Sequence, residues 1–392
     1  MYKKVYLKPG KDGGLKRFHP WVFSGAISRT DNGVEEGSIV NVIDAKGESA
    51  GIGHFQFGSI AVRMLTFSQE TIDEDFWFQR LSKAWLMRQS IGVVSAQNRI
   101  FRLVHGEGDA LPGLIIDIYE HTAVIQAHSV GMHLARHEIS GALVRLMPEL
   151  LTSIYYKSDT TLPYKANVEA EAGYLYGSES PNIAKEYGLS FEIDWVKGQK
   201  TGFFIDQREN RRLLEQYAKG RKVLNMFCYT GGFSVYALRG GASEVHSVDS
   251  SARAVSITDA NVALNFPHCN NHFSHAEDAF KFLSAMDNSY DLIVLDPPAF
   301  AKHRDAVHNA LKGYIRLNAK AFEKIKPGGL LFTFSCSQAV NKEQFRLAVF
   351  TAAAQSRRFV RILHQLHQPA DHPVNIFHPE GEYLKGLVLY VE

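Results

Sequence analysis

From Phe191 to the C-terminus, short apolar runs alternate with longer stretches of helical periodicity. The runs are KVLNMF (222–227), EVHSVD (244–249), HFSHA (272–276), DLIVLD (291–296), GLLFTFS (329–335), RFVRIL (358–363) and KGLVLYV (385–391). Five of them precede helical stretches at a spacing of roughly twenty to forty residues, the pattern of βαβ units. This predicts a doubly wound, mostly parallel, seven-stranded Rossmann-like sheet whose last two strands are antiparallel. Ligands of such sheets bind beyond the carboxyl ends of the strands, where the strand order reverses.

Upstream the patterning differs. Residues 1–72 contain the period-2 runs SIVNVID, ESAGIGHF and SIAVRML, separated by glycine-bearing turns, and predict a small β-barrel or sandwich. Residues 73–185 open with a helical repeat (Phe78, Leu81, Trp85) that Asp75 is placed to cap. The strand-like runs GLIIDIY and TAVIQAHS follow, then a second amphipathic helix bearing Ala135, Ile139, Leu143 and Leu146. YGSESPN (176–182) reads as a linker. The chain is therefore expected to be a multidomain α/β protein: a barrel over 1–72, a central α/β domain over 73–185 and the Rossmann-like domain over 186–392.

Charge adds one constraint. The formal net charge is only +2, so nucleic-acid contacts must come from local patches. One lies in the first twenty residues, where Lys3, Lys4, Lys8, Lys11, Lys16 and Arg17 face Asp12 alone; a solvated, frayed terminus is the plainer reading. The three cysteines, Cys228, Cys269 and Cys336, are odd in number and widely spaced. That argues against a disulfide framework or a cysteine-rich metal site, and for a reducing, cytoplasmic setting. No metal and no membrane contact is expected, since no apolar run approaches the ~18 residues of a span.

Four strand ends carry candidate chemistry. Cys228-Tyr229-Thr230-Gly231-Gly232-Phe233 follows the first strand; it is permissive enough for a ligand to approach the backbone, but it is not the dinucleotide fingerprint. Asp249, with Ser250, ends the second; Glu277-Asp278, with Ala279, follows the third; Asp296-Pro297-Pro298-Ala299-Phe300 follows the fourth. Acids at successive strand ends suit a ligand with ribose hydroxyls and positive charge but no phosphate, a description that fits S-adenosylmethionine. Any one of these acids alone reads equally well as a helix N-cap.

Several longer stretches carry a specific resemblance. They are Gly198-Gln-Lys-Thr-Gly-Phe-Phe-Ile-Asp-Gln-Arg-Glu-Asn210, Tyr229-Thr-Gly-Gly-Phe233, Leu295-Asp-Pro-Pro298, Thr333-Phe-Ser-Cys-Ser337, Ala370-Asp-His-Pro-Val374 and Pro379-Glu-Gly-Glu-Tyr-Leu-Lys-Gly386. With His19-Pro20-Trp21-Val22-Phe23 and the segment Arg102 to Gly113, they span nearly the whole chain. The ensemble resembles the bacterial class I methyltransferases that form 5-methylcytosine in large-subunit ribosomal RNA and carry an N-terminal PUA domain. The resemblance implies a PUA-type RNA-binding barrel over 1–72 and a middle domain that helps cradle RNA. It implies a cofactor pocket of Phe203, Asp206, Arg208, Tyr229, Thr230, Gly231, Asp249, Ser250, Asp278, Ala279, Asp296 and Pro297, with Arg208 a partner for the methionine carboxylate. The plainer alternative for 203–209 is a helix start capped by Asp206, with Glu209 beside it.

Carbon-5 of cytosine is a poor nucleophile, so its methylation needs a thiolate added at carbon-6 and a group near N3 to stabilise the adduct. The resemblance assigns the thiolate to Cys336 and the base contact to Asp296. A small buried cysteine closing a strand is the competing reading. RNA cytosine-5 methyltransferases of the better-known kind carry a second cysteine where this chain has Ala299. Pro298 and Phe300 are candidate base contacts; an aromatic at 300 suits stacking on a flipped base as well as core packing. In 302–326, Lys312, Arg316, Lys320 and Lys324 share one helix side, opposite Val307, Ala310, Tyr314, Leu317 and Ala321. With Lys302 they form a candidate phosphate track. His372, in the tail where the last strands meet, is either a proton shuttle or a structural histidine.

Two other readings remain open from sequence: methyl transfer to an exocyclic amine of guanine or adenine through Asp296–Phe300 with no covalent step, and a non-catalytic RNA-binding or assembly protein. Either a monomer or a homodimer is compatible with the pattern.

Overall fold

The computed structural model describes residues 2–163, 171–301 and 303–392. They form two compact units: Met1–Gly188 with Ile193–Ile205 and Ala370–Gly381, and Leu189–Glu192 with Asp206–Pro369 and Glu382–Glu392.

The first unit holds two sheets, each with its own core. β1 (Lys3–Leu7), β2 (Trp21–Phe23), β3 (Ile27–Thr30), β4 (Ile39–Ile43), β5 (Ser49–Phe55) and β6 (Ile60–Thr66) make a six-stranded sheet ordered β2-β6-β5-β4-β1-β3. Among the described residues, β1 and β4 pair in parallel and the other neighbours in this sheet are antiparallel. Alternate residues Val5, Leu7, Val40, Val42, Val62 and Met64 fill its core, as the period-2 pattern requires. The basic N-terminus is strand rather than a frayed tail: Lys3 and Lys8 donate to the carbonyls of Gly33 and Gly25, and Lys16 pairs with Asp12.

α1 (Glu74–Ser90), β7 (Ile100–His105), β8 (Leu114–Tyr119), β9 (Thr122–Ala127), α2 (Val130–Leu134), α3 (Arg136–Leu146), β10 (Ser153–Tyr156) and β11 (Gly173–Tyr176) build the second sheet, ordered β11-β10-β9-β8-β7. Trp77 and Leu81 of α1 and Ile139 and Leu143 of α3 bury against Phe101, Leu114 and Tyr156. The cap of α1 is Asp73, not Asp75: its side chain accepts from Phe76 N, while Asp75 pairs with Arg145 on the surface. Residues 177–182 connect β11 to β12 (Ile183–Glu186) without regular structure.

The returning segment Ala370–Gly381 is sewn into this unit by buried charge. Arg88 binds Asp109 through both guanidinium nitrogens and donates to Asp371 O (2.8 Å). Asp371 Oδ2 accepts from Arg102 N (3.0 Å), and Arg102 pairs bidentately with Asp117 (2.8 Å each). His372 is buried beside Asp371 and His105. The tail motif, which connects β19 (Val360–Leu366) to β20 (Lys385–Val391) in the chain, is thus held in the first unit by the buried Arg88 and by the Arg102 backbone N–H. Trp21 Nε1 donates to Glu107 (2.8 Å) and its ring packs on His378 (4.3 Å), which joins the two N-terminal motifs to the same tail.

The second unit comprises β13 (Leu189–Glu192), α4 (Arg208–Tyr217), β14 (Lys222–Met226), α5 (Gly232–Arg239), β15 (Glu244–Asp249), α6 (Ala252–Asn265), β16 (His272–Ala276), α7 (Ala279–Ala285), β17 (Leu292–Leu295), α8 (Val307–Lys324), β18 (Gly329–Ser335), α9 (Lys342–Ser356), β19 (Val360–Leu366) and β20 (Lys385–Val391). Seven strands form one sheet ordered β16-β15-β14-β17-β18-β20-β19. Every residue of β17 and β18 is buried, as expected of central strands covered by helices on both faces. The last two strands are antiparallel to each other, and β20 alone runs against the rest of the sheet. It is inserted between β18 and β19 and pairs antiparallel with both, so β19 points the same way as the parallel strands. The order reverses between β14 and β17, which fixes where a ligand should sit.

Candidate cofactor and acceptor site

The loop leaving β14 carries unusual backbone. Phe227, Tyr229 and Gly231 all have positive φ (58°, 47° and 78°). For the two aromatics this left-handed conformation costs about 1–2 kcal/mol each, and nothing in the sequence signals it. Asp249, at the end of β15, supports the loop: its Oδ2 accepts from Tyr229 N (3.0 Å) and its Oδ1 from Ser251 N (2.9 Å). Strain held in place by a neighbouring carboxylate is a frequent mark of a ligand loop.

Gly231 is also needed for packing. A Cβ there would lie 2.5 Å from Thr258 Cγ2 on α6, so the glycine lets α5 and α6 pack. Thr230 beside it is buried, yet its Oγ1 has no hydrogen-bond partner among the described residues. Cys228 is buried and its thiol is pushed far up by desolvation, which leaves it inert.

The remaining strand ends differ in what their acids already do. Asp278 is exposed and caps α7, accepting from Lys281 N (3.0 Å), with Ala279 buried behind it; here the helix-cap reading describes the contact. Ser250 is exposed beside the half-buried Asp249. Asp296 is half-buried, and its Oδ2 accepts from Gln207 Nε2 (3.0 Å), whose Oε1 accepts from Asn210 Nδ2 (2.6 Å). Gln207 thus orients the Asp-Pro-Pro carboxylate. Sequence reasoning passed over it although it stands inside the quoted 198–210 motif.

Asp206 does not cap α4. The preceding residues form a 3-10 turn, the helix has no side-chain cap, and Asp206 Oδ2 accepts instead from Tyr383 OH (2.7 Å). Arg208 is fully buried at the first position of α4 and pairs with Glu209 (3.1 Å). Phe203 is buried and belongs to the first unit.

On the acceptor side, Cys336 follows β18 and lies one strand over from Asp296. It is half-buried, with Sγ 4.0 Å from Pro297 O. The turn after it is locked: Ser337 Oγ donates to Ala301 O (2.5 Å), and Ser335 Oγ donates to Tyr314 OH (2.8 Å). Pro297 is buried and Pro298 exposed. The Phe300 ring packs on Tyr314, centroids 4.7 Å apart, and a Cβ on Gly313 would touch it at 3.0 Å. Those contacts are core packing. Burial pushes the Tyr314 hydroxyl up to about 12, so it stays protonated.

The basic side of α8 is less uniform than its spacing suggests. Lys312 and Arg316 are exposed, the latter over the Phe280 ring. Lys320 pairs with Glu323 (2.9 Å), and Lys324 donates to Met286 O (2.8 Å). Lys302 lies outside the described residues.

A seven-stranded sheet with one reversed strand, an Asp-supported loop at the switch point and no phosphate-type glycine fingerprint defines a methyltransferase of the Rossmann-like class. The comparisons agree. Residues 161–379 match the model of the S-adenosylmethionine-dependent methyltransferase family, and residues 5–67 match a PUA-like domain. The chain belongs to that methyltransferase family and is an S-adenosylmethionine-dependent enzyme. Its relatives include ribosomal RNA large subunit methyltransferase I of Tolumonas auensis, 40% identical over 99% of both chains. The same-named protein of Aeromonas hydrophila is 39% identical over 99% of both chains. A solved Streptococcus mutans chain, assigned as a SAM-dependent methyltransferase, shares the fold with a TM-score of 0.83 at 23% identity, covering 99% of this chain and 100% of its own. The homodimer compatible with the sequence gains no support from them.

The residues present fit the cofactor. Thr230 offers a buried hydroxyl with no partner among the described residues, and Asp249 and Asp296 place carboxylates at the ends of the strands on either side of β14. Among the described residues no cluster of metal-ligating side chains occurs, and no helix is long and apolar enough to cross a membrane.

Proposed function

We propose that the chain methylates large-subunit ribosomal RNA, in the cytoplasm, forming 5-methylcytosine through a covalent adduct on Cys336. The carrying observation is the arrangement of Cys336 and Asp296 at the ends of neighbouring strands β18 and β17, with Sγ against Pro297 O. The names of the relatives support the substrate class. Bound S-adenosylmethionine supplies an electrophilic methyl group; Asp249 and Asp278 would hold its ribose and adenine side, and Arg208 its carboxylate. Cys336 would form the Sγ–carbon-6 bond, pushing the electron pair toward carbon-5, while Asp296, oriented by Gln207, would hold the base by accepting from the exocyclic amine beside N3. After transfer, loss of the carbon-5 proton to a base expels the thiolate and restores the ring.

Lys312 and Arg316 would track the phosphate backbone beside the acceptor. Exocyclic-amine transfer has less support, because the Phe300 ring is committed to Tyr314. The test is mechanism trapping: ribosomal RNA carrying 5-fluorocytosine cannot lose the carbon-5 substituent, so wild type should form a denaturation-resistant RNA adduct. Cys336→Ala should form none and make no product. Full methylation by Cys336→Ala would refute the covalent step.

A further inference from the structure

Lys385 opens β20 directly opposite Ser335, the residue before Cys336, in the antiparallel β18–β20 ladder. It is only 6% exposed. Its ammonium donates to Ser337 O (2.5 Å) and Val340 O (2.7 Å), two carbonyls of the turn that Cys336 enters. A buried ammonium satisfied only by neutral carbonyls is costly unless a charge of opposite sign lies near it. The acid adjoining it in sequence space, Glu382, is paired with Lys342 at the surface.

Burial lowers Lys385 to about 8, and among the charges that favour its protonated form Cys336 comes first, ahead of Glu382; Lys342 opposes them. Electrostatic coupling is reciprocal, so an ammonium favoured by the thiolate favours the thiolate in turn. Two described groups on the acceptor side do not help the thiolate. Asp296 carries negative charge, and the Tyr314 hydroxyl is neutral and already bonded to Ser335.

We propose that Lys385, its ammonium fixed beneath the turn that bears Cys336, holds that cysteine as a thiolate and so is the positioning residue for the nucleophile. The S–H proton is released to water, and no further reagent is needed. The inference rests on the reading of Cys336 as the nucleophile given above.

Alkylation of the intact protein by iodoacetamide between pH 6 and 10, followed on the Cys336 peptide by mass spectrometry, tests it. Wild type should titrate with a midpoint below the ~8.5 of an ordinary thiol. Lys385→Gln keeps hydrogen-bond donors but loses the charge; its midpoint should rise by at least about one pH unit, making alkylation at pH 7 roughly ten-fold slower. Lys385→Arg should retain the low midpoint. A wild-type midpoint at or above the ordinary value overturns the proposal without any variant. So does Lys385→Gln titrating with wild type, or Lys385→Arg titrating with Lys385→Gln. The two readings fail separately: a shifted profile with full methylation by Cys336→Ala removes the nucleophile and leaves the thiolate pair. An unshifted profile with inactive Cys336→Ala does the reverse.

Discussion

Replacing Asp249 with alanine tests the argument about the strained loop most sharply. The carboxylate accepts two backbone N–H groups, at 3.0 Å from Tyr229 and 2.9 Å from Ser251. Hydrogen bonds to a charged group contribute about 1.5–3 kcal/mol each when buried. Asp249 is half-exposed and water can replace it at Ser251, which is exposed, so the total loss in folding stability should be near the lower end, about 2 kcal/mol. The left-handed Tyr229 costs about 1–2 kcal/mol by itself. Without its acceptor the loop should relax, and cofactor binding must then restore the strained form. That raises the dissociation constant for S-adenosylmethionine roughly five- to thirty-fold, before any ribose contact is counted. Asp249→Asn, which keeps one acceptor oxygen, should fall midway. Isothermal titration with S-adenosylmethionine and urea unfolding read the two effects separately. An Asp249→Ala protein that binds within two-fold of wild type and unfolds at the same urea concentration would show that the carboxylate does not hold this loop.

Three further outcomes can be checked by denaturation. Gly231→Ala meets both a φ of +78° and Thr258 Cγ2 at 2.5 Å, and should cost about 2–4 kcal/mol in urea unfolding. Arg88→Met should cost about 3–5 kcal/mol, because it leaves the buried Asp109 carboxylate without its bidentate partner and frees Asp371 O; a loss under 1 kcal/mol would contradict the role given to this network. His54 is buried on β5 near Trp77, and burial, aided by Arg63, lowers it from 6.5 to about 4. The unfolded chain therefore takes up that proton first as pH falls. Stability is fully present above pH 6.5 and should decline toward pH 4 by up to about 3 kcal/mol. His54→Phe should flatten that decline when urea midpoints are compared at pH 7 and pH 4.5.

Much of the second unit was legible because its central strands are buried and read as continuous apolar runs, while the more exposed strands β15 and β16 were marked by their place in the strand–helix alternation. EVHSVD, HFSHA, GLLFTFS and KGLVLYV coincide with β15, β16, β18 and β20. The direction of β19 was not legible, since periodicity carries no sign and only the insertion of β20 decides it. Nor was the seat of the tail motif. Asp371 and His372 look like a strand-end pair until Arg88 and Arg102, some 270 residues away in the chain, bury them. At the site, the strand-end acids were found by position alone, whereas what each acid does depends on partners. Asp278 caps a helix, Asp249 clamps a loop and Asp296 is aimed by Gln207. Gln207 and Lys385 were missed for a shared reason. Each acts through a tertiary hydrogen bond that no local spacing announces, although both sit inside stretches already singled out. The four-residue spacing of the α8 cations described a helix side correctly, but not that Lys320 and Lys324 are spent on Glu323 and Met286 O.

The most direct test of the central claim is nucleoside mass spectrometry of large-subunit ribosomal RNA from a host lacking this protein, after incubation with the pure enzyme and methyl-labelled S-adenosylmethionine. The account predicts label in 5-methylcytidine. Label in a methylated guanosine or adenosine, or none in any nucleoside, would contradict it.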